Sequence, residues 1–277
     1  ERLTEQMLRK LLRDNKNKLN TGFVGTPLLC NVLTEHGMTD LAYRLLLNEE
    51  YPGWLHEVKL GATTVWERWN SLDENGRISS TGMNSLNHYS YGAVLEWIFR
   101  HVAGIDVTEQ GPGGKMMRIS PKVDHKLGSA SAVYDSASGC YRCGWQIENG
   151  DQITVTVTVP FGAKAQVILP YAPDSVYHDT DNPLFETVEN GICCVKAGQY
   201  TVTYKAASPL KKSYSVDSTL EDLLAEPAIR AFLSNMMEVD MIPDLAYGLT
   251  LRQAAEAFAG GVSAEQAQRL NALLEEF

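Results

Sequence analysis

Over roughly the first hundred residues the apolar positions recur at helical spacing. Leu3, Met7, Leu8, Leu11 and Leu12 share one helix face, residues 26–36 form a second helix stopped by Gly37, and residues 40–47 form a third. The connection between the second and third is so short that the two should run antiparallel. Residues 48–61 are irregular, 61–69 are short and aromatic, and 70–82 read as loop because Ser, Gly, Asn and Asp dominate them. A further helix is predicted from about Ser85 to His101, with Ala93, Val94, Trp97 and Ile98 inward and Gly104 beyond its end. After residue 115 the period falls to two. In Gln152–Val159, Ile153, Val155, Val157 and Val159 face one way and the threonines the other, the signature of a half-buried strand. Asn149 and Gly150 just before it supply the positive-φ positions of a tight hairpin turn. Further strands are predicted at 130–134, 141–147, 165–169, 192–195 and 199–204, and this spacing suggests an antiparallel sandwich. From residue 217 the helical signal returns. Ser218-x-x-Glu221, Thr250-x-x-Gln253 and Ser263-x-x-Gln266 read as capping boxes, and Pro227 suits a first helical turn.

Composition narrows the picture. The chain has 277 residues, 44% hydrophobic and 21% charged, which is globular composition and compatible with one to three domains. Its net charge of −10, with no Lys/Arg cluster, argues against nucleic acid and anionic membranes as partners. No apolar run is long enough to span a bilayer. The five cysteines, an odd number, suggest reduced thiols and a cytoplasmic location. Cys140 and Cys143 have CxxC spacing, and Cys193 and Cys194 are adjacent, but strand neighbours point to opposite faces, so ordinary thiols are expected rather than a metal site. The chain starts Glu1-Arg2-Leu3, without initiator Met or signal peptide, so the expectation is either that processing removed the start or that this is a piece of a longer protein.

The chemistry concentrates between Tyr51 and Tyr91. Trp54, Trp66, Trp69, Tyr89 and Tyr91 are interleaved with Glu57, Glu67, Arg68 and His88. Aromatic faces accept the C–H faces of a pyranose, and nearby carboxylates and amides take its hydroxyls. Core packing with a surface Glu–Arg pair would give the same composition. Against that, Glu67 and Arg68 stand between two tryptophans, where a charge is desolvated and a carboxylate becomes a candidate acid or base. Arg68 can stack on a ring or grip a carboxylate. Asn84, beside His88, suits contact with sugar hydroxyls. Glu57 is expected as a solvated loop glutamate.

Five blocks in this region carry a resemblance: Thr21-Gly-Phe-Val-Gly-Thr-Pro27, Asp40-Leu-Ala-Tyr-Arg-Leu-Leu-Leu47, Gly61-Ala-Thr-Thr-Val-Trp-Glu-Arg-Trp69, Met83-Asn-Ser-Leu-Asn-His-Tyr89 and Tyr91-Gly-Ala-Val94. In order and spacing they resemble the bacterial α-L-rhamnosidases of glycoside hydrolase family 78. The resemblance implies a multidomain α and β chain: residues 1–108 as the C-terminal part of an (α/α)6 toroid, 109–208 as an antiparallel β-sandwich and 209–277 as a helical tail. It implies inverting hydrolysis of terminal non-reducing α-L-rhamnose, with Glu67 as general base and His88 contacting the sugar. Trp66 and Trp69 would help form the pocket wall. Neither a metal nor another cofactor is implied, and the partners would be rhamnose-containing glycosides, with a homo-oligomer left open. The family's acidic block, which carries the general acid, has no counterpart here, so the 277 residues alone should be inactive. Two alternatives stay open: another α/α-toroid glycosidase or lyase, and a non-catalytic carbohydrate-binding or interaction fragment.

Overall fold

The computed structural model describes all residues except Glu1, Glu74, Thr81, Gln110, Thr180 and Ala259, and the backbone only of Arg2, Leu3, Glu5 and Asp244. The inward place expected of the Leu3 side chain therefore lies outside the described residues. The chain forms two compact units, one of residues 1–9 and 18–210, the other of residues 10–17 and 211–277.

The first helix, α1, is Arg2–Asp14. In the first unit, α2 (Thr26–Glu35) and α3 (Thr39–Leu46) form the expected helix pair, joined at Gly37, whose φ of +76° suits glycine. Leu29, Leu33, Leu41, Ala42 and Leu45 are buried between and beneath them. The stretch 48–61, read as irregular, contains a short helix, α4 (Trp54–Lys59). One and a half turns are too few to show a period in the sequence. The helix expected from Ser85 begins only at Ser90, as a 3₁₀ turn (Ser90–Ala93) that continues into α5 (Val94–Trp97) and a π turn (Ile98–Val102). Residues 85–88 are unavailable to it because the Ser85 carbonyl and the His88 amide are spent on another segment. Trp97 closes this zone: 1% exposed, it donates from Nε1 to Thr34 Oγ1 at 2.8 Å and meets Tyr43 edge to face.

Among the described residues nine strands follow, in two sheets. The four-stranded sheet orders β3 (Ser129–Ser136), β4 (Gly139–Glu148), β5 (Gln152–Val159) and β9 (Gly198–Lys205), all antiparallel. Asn149 and Gly150 turn β4 into β5 with φ of +52° and +82°, as their sequence implies. The five-stranded sheet orders β1 (Ile105–Val107), β2 (Met116–Ile119), β6 (Lys164–Ile168), β8 (Ile192–Val195) and β7 (Val188–Glu189). Its β2–β6 pairing is parallel, which a reading of local turns could not supply. β1, β2 and β7, of two to four residues, also go unseen in the sequence. Tyr141 on β4 ties the sheets together by hydrogen bonding to the carbonyls of Gly114 and Lys164. Cys140 and Cys143 lie on opposite faces of β4, the first half-buried and the second buried.

In the second unit, α6 (Leu220–Ala225), α7 (Pro227–Ser234), α8 (Leu251–Phe258) and α9 (Ala264–Leu274) enclose Val216, Leu220, Leu223, Ile229, Leu233 and Leu274. Residues 10–17 belong to this unit. Arg13 pairs with Glu221 at 2.8 Å and lies 4.7 Å above the Tyr247 ring. Pro227 opens α7, and the Thr250 and Ser263 capping boxes form with both reciprocal hydrogen bonds. The box read at Ser218 is displaced by one residue. Thr219 caps α6 through the Asp222 amide, while the Ser218 hydroxyl takes the Ser215 amide. Removing the cap in Ser263→Ala should cost about 1 kcal/mol. Faster amide exchange confined to the first turn of Ala264–Leu274 would register the loss, and unchanged exchange there would contradict it.

Candidate active site

Two irregular segments build the site. Residues 63–69 have too many β-branched and aromatic side chains for a helix and no alternation for a strand, so their backbone must be satisfied from elsewhere. It is satisfied by residues 85–88. The Glu67 amide donates to Ser85 O at 2.9 Å, and the His88 amide donates to Val65 O at 2.7 Å. Thr64 Oγ1 adds a bond to Leu86 O. Glu67 and His88, 21 positions apart, are thus locked onto adjoining backbones.

Glu67 is 9% exposed, and no hydrogen bond or ion pair engages its carboxylate among the described residues. The Arg68 guanidinium, half-buried, is likewise without a protein partner among the described residues. Its backbone is fixed instead: the Arg68 amide donates to Ser71 Oγ at 3.1 Å. That hydroxyl donates to Asn84 Oδ1 at 2.6 Å, and Asn84 Nδ2 returns a bond to Ser71 O at 2.9 Å. Asn84, expected at sugar hydroxyls, therefore spends both ends of its amide bracing the loop. A fully buried serine can hold such a turn only if its polar atoms are answered, and here they are.

Aromatic rings form a continuous series behind these groups. Tyr89 stacks on His88 (5.2 Å, 13°), and His88 stacks on Phe23 (4.9 Å, 16°). Phe23 meets Tyr91 edge to face at 6.0 Å, Tyr91 stacks flat on Trp69 (3.9 Å, 6°), and Trp69 meets Trp54 edge to face at 5.4 Å. The series runs from solvent inward. Tyr89 is 85% exposed, whereas Trp69 is buried and donates from Nε1 to Thr21 O at 2.9 Å. Trp54 donates to Tyr91 O at 3.0 Å. Trp66, at 3% exposure, is buried as well. Both indoles of the Trp-Glu-Arg-Trp block thus stand as interior support, and the surface-facing rings are Phe23 and Tyr89. The Ser90 amide donates to His88 Nδ1 at 3.3 Å, which places the proton of the neutral ring on Nε2, as a donor.

Glu57 departs from expectation. It lies on α4, not in a solvated loop, and is 4% exposed. Burial pushes its carboxyl up to about 8, only partly countered by the Trp66 backbone amide. Tyr91 senses the whole group: burial raises its hydroxyl, with Glu57 adding to the rise and Arg68 opposing it. Phe23 and Ser71 are not singled out by the sequence reading. Phe23 does fall inside a block that carries the resemblance, which is the signal that could have found it.

Residues 1–102 match the model of the bacterial alpha-L-rhamnosidase 6 hairpin glycosidase domain, and residues 104–182 match that of the bacterial alpha-L-rhamnosidase C-terminal domain. These residues belong to the bacterial alpha-L-rhamnosidase family. An alpha-L-rhamnosidase of Alteromonas sp. (strain LOR) is 40% identical over 200 residues, covering 72% of this chain and 21% of that protein. Another, from Formosa agariphila, is 40% identical over 190 residues, covering 69% of this chain and 20% of that protein. Among solved structures, Streptomyces avermitilis alpha-L-rhamnosidase complexed with L-rhamnose aligns with a TM-score of 0.63 and 35% identity, over 71% of this chain and 19% of that one. The alpha-L-rhamnosidase from Dictyoglumus thermophilum aligns at 0.61 and 27% identity, over 73% and 23%. The chain spans about a fifth of the length of the curated relatives it matches. The helices of residues 1–102 fall within the six-hairpin match, and strands β1 to β6 fall within the C-terminal domain match that follows it.

Proposed function

We propose that the chain is the C-terminal portion of an inverting α-L-rhamnosidase that removes terminal non-reducing α-L-rhamnose from glycosides. Glu67 is the general base that activates the attacking water. His88 donates from Nε2 to a sugar hydroxyl, and Arg68 offers a second unpartnered donor. The observation that carries this reading is the state of Glu67: a largely buried carboxylate with no protein partner among the described residues, held by backbone hydrogen bonds beside His88. A structural glutamate at that depth would be paired, whereas a general base must keep its oxygens available for water. The rhamnose complex of the Streptomyces avermitilis relative supports the choice of sugar. The unpaired state of all five cysteines supports a cytoplasmic place of action.

Inversion needs a second carboxyl across the sugar ring, roughly 6.5–9.5 Å from the first. The proposal assigns that acid to a part of the barrel outside residues 1–102. Exposed apolar side chains on the helical zone, among them Met7, Val24, Leu28 and Leu95, fit a surface that further barrel helices would cover. The test is hydrolysis of p-nitrophenyl α-L-rhamnoside by the 277-residue chain and by a protein that joins it to a complete six-hairpin domain. Only the second should turn over. Turnover by the chain alone would move the acid into these residues, and no turnover by either would remove the rhamnosidase reading.

A further inference from the structure

The edge of a sheet is a row of backbone donors and acceptors that pairs with another strand unless something blocks it. Among the described residues the two sheets end in four such strands. In the five-stranded sheet they are β1 and β7, of three and two residues, too short to template a partner. In the four-stranded sheet one is β9, where Asn182 Nδ2 reaches in and donates to Thr201 O at 3.1 Å. The other is β3, eight residues long and in unbroken register with β4 from Ser129 opposite Gln146 to Ser136 opposite Gly139. Its sequence, Ser-Ala-Ser-Ala-Val-Tyr-Asp-Ser, contains neither the lysine nor the proline that commonly guards an edge.

The backbone groups that β3 leaves open can be assigned. The Ile147 amide donates to Gly128 O at 2.8 Å, one step before the β3–β4 ladder and in line with it. Bonded and non-bonded pairs alternate along an antiparallel ladder. The even residues of β3 therefore turn their backbone toward β4, and Ser129, Ser131, Val133 and Asp135 turn theirs outward. None of these four meets a backbone partner in a turn or loop among the described residues. The side chains agree with an unfinished edge. Val133 is 44% and Tyr134 38% exposed, and Ala130 and Ala132, opposite the buried Trp145 and Cys143, are themselves only half-buried.

We propose that β3 is a dimerisation edge, which takes the β3 of a second copy of this chain antiparallel across a two-fold axis at Ala132. Self-complementarity is what selects a copy as the occupant. In this register Ser131 pairs with Val133 of the copy and Ser129 with its Asp135, so all four outward residues are used. Moving the centre to Ser131 or Val133 leaves one of them unpaired. Tyr134 lies over Ala130 of the copy, large against small. The two Ala132 residues meet on the axis as a non-hydrogen-bonded pair, with Cα atoms about 4.5 Å apart. The two Asp135 carboxylates stand at opposite ends, each beside a serine hydroxyl, so no like charges face each other. That matters in a chain of net charge −10, whose copies otherwise repel. One strand edge buries less area than a standard interface, so the dimer is a weak one, with a Kd in the micromolar range. The proposal does not depend on the rhamnosidase reading.

The protein carrying the complete six-hairpin domain, in which further helices cover the apolar helical face, is the form to measure. Sedimentation velocity should show monomer and dimer in exchange. Val133→Pro removes an outward N–H and no bond to β4, so circular dichroism should be unchanged while the dimer weakens by at least about tenfold. Ser131→Pro, also outward, repeats the test if the first variant folds poorly. Mild oxidation of Ala132→Cys should give a disulfide-linked dimer, because Cα atoms paired on the axis lie within disulfide reach. Ser131→Cys, which faces Val133 of the copy, should stay at the background that the native thiols set in the wild type. A complete protein that is monomeric at about 100 µM, its edge open or filled by another part of the same chain, would overturn the proposal. So would a dimer that survives both prolines, or one that Ala132→Cys links no better than Ser131→Cys.

Discussion

Glu67→Gln, placed in a protein with the complete six-hairpin domain, is expected to lower kcat about 10²- to 10⁴-fold while rhamnose binding persists. Glutamine keeps the shape of the side chain but cannot take a proton from water. The fold should not notice, because the bond that fixes this residue runs from its backbone amide to Ser85 O. No ion pair is lost either, since the carboxylate has no partner among the described residues. The loss should therefore appear in kcat and leave KM nearly unchanged, the pattern of an interaction used only in the transition state. Steady-state kinetics on an aryl rhamnoside, with calorimetric titration of rhamnose, make the measurement. A kcat within tenfold of wild type would take the base away from Glu67.

Trp145→Ala should destabilise the first unit by about 3–5 kcal/mol, the usual cost of emptying a buried tryptophan site. Trp145 is 3% exposed on β4, in register with Ala130 on β3 and Val155 on β5. It also donates from Nε1 to Val102 O at 2.7 Å, at the end of the π turn. Alanine would leave both a void and an unanswered buried carbonyl. Trp145→Phe separates the two, because it fills most of the volume and removes only the donor. Its expected cost is about 1–3 kcal/mol. Urea unfolding followed by circular dichroism reads both variants. Because this bond ties the sheets to the helix that carries Tyr91, the two should melt in one transition. A loss below about 1 kcal/mol for Trp145→Ala would show that the indole is not a support of the core.

Much of the fold is legible in local pattern. Gln152–Val159 and Ile192–Val195 are the strands that alternation and β-branching predict, and Asn149-Gly150 makes the turn its φ preferences demand. The capping boxes at Thr250 and Ser263 form as written, because a cap is a contact between residues three apart. The family was legible in another way. Five sequence blocks resembled a family of glycosidases, and the family match over residues 1–182 agrees with them.

What local pattern could not supply was anything decided by distant backbone. The late start of the helix at Ser90 follows from hydrogen bonds that Ser85 and His88 make to residues 65–67. The parallel β2–β6 pairing joins strands separated by three others in the chain. Asn84 could not be known as a brace until Ser71 was placed beside it. The burial of Glu57 is the sharpest case, since a glutamate on a six-residue helix looks solvated in any window of sequence.

Sequence by itself determined the longer helices and strands, the turn at Asn149-Gly150, and which carboxylate sits between tryptophans. Those are properties of short stretches, set by side-chain period, φ preference and capping. The tertiary structure alone decided that Glu67 keeps its carboxyl without a protein partner among the described residues, while Glu57 is sealed and its carboxyl is pushed up by burial. Desolvation depends on everything packed around a group, and no neighbour in the chain records it.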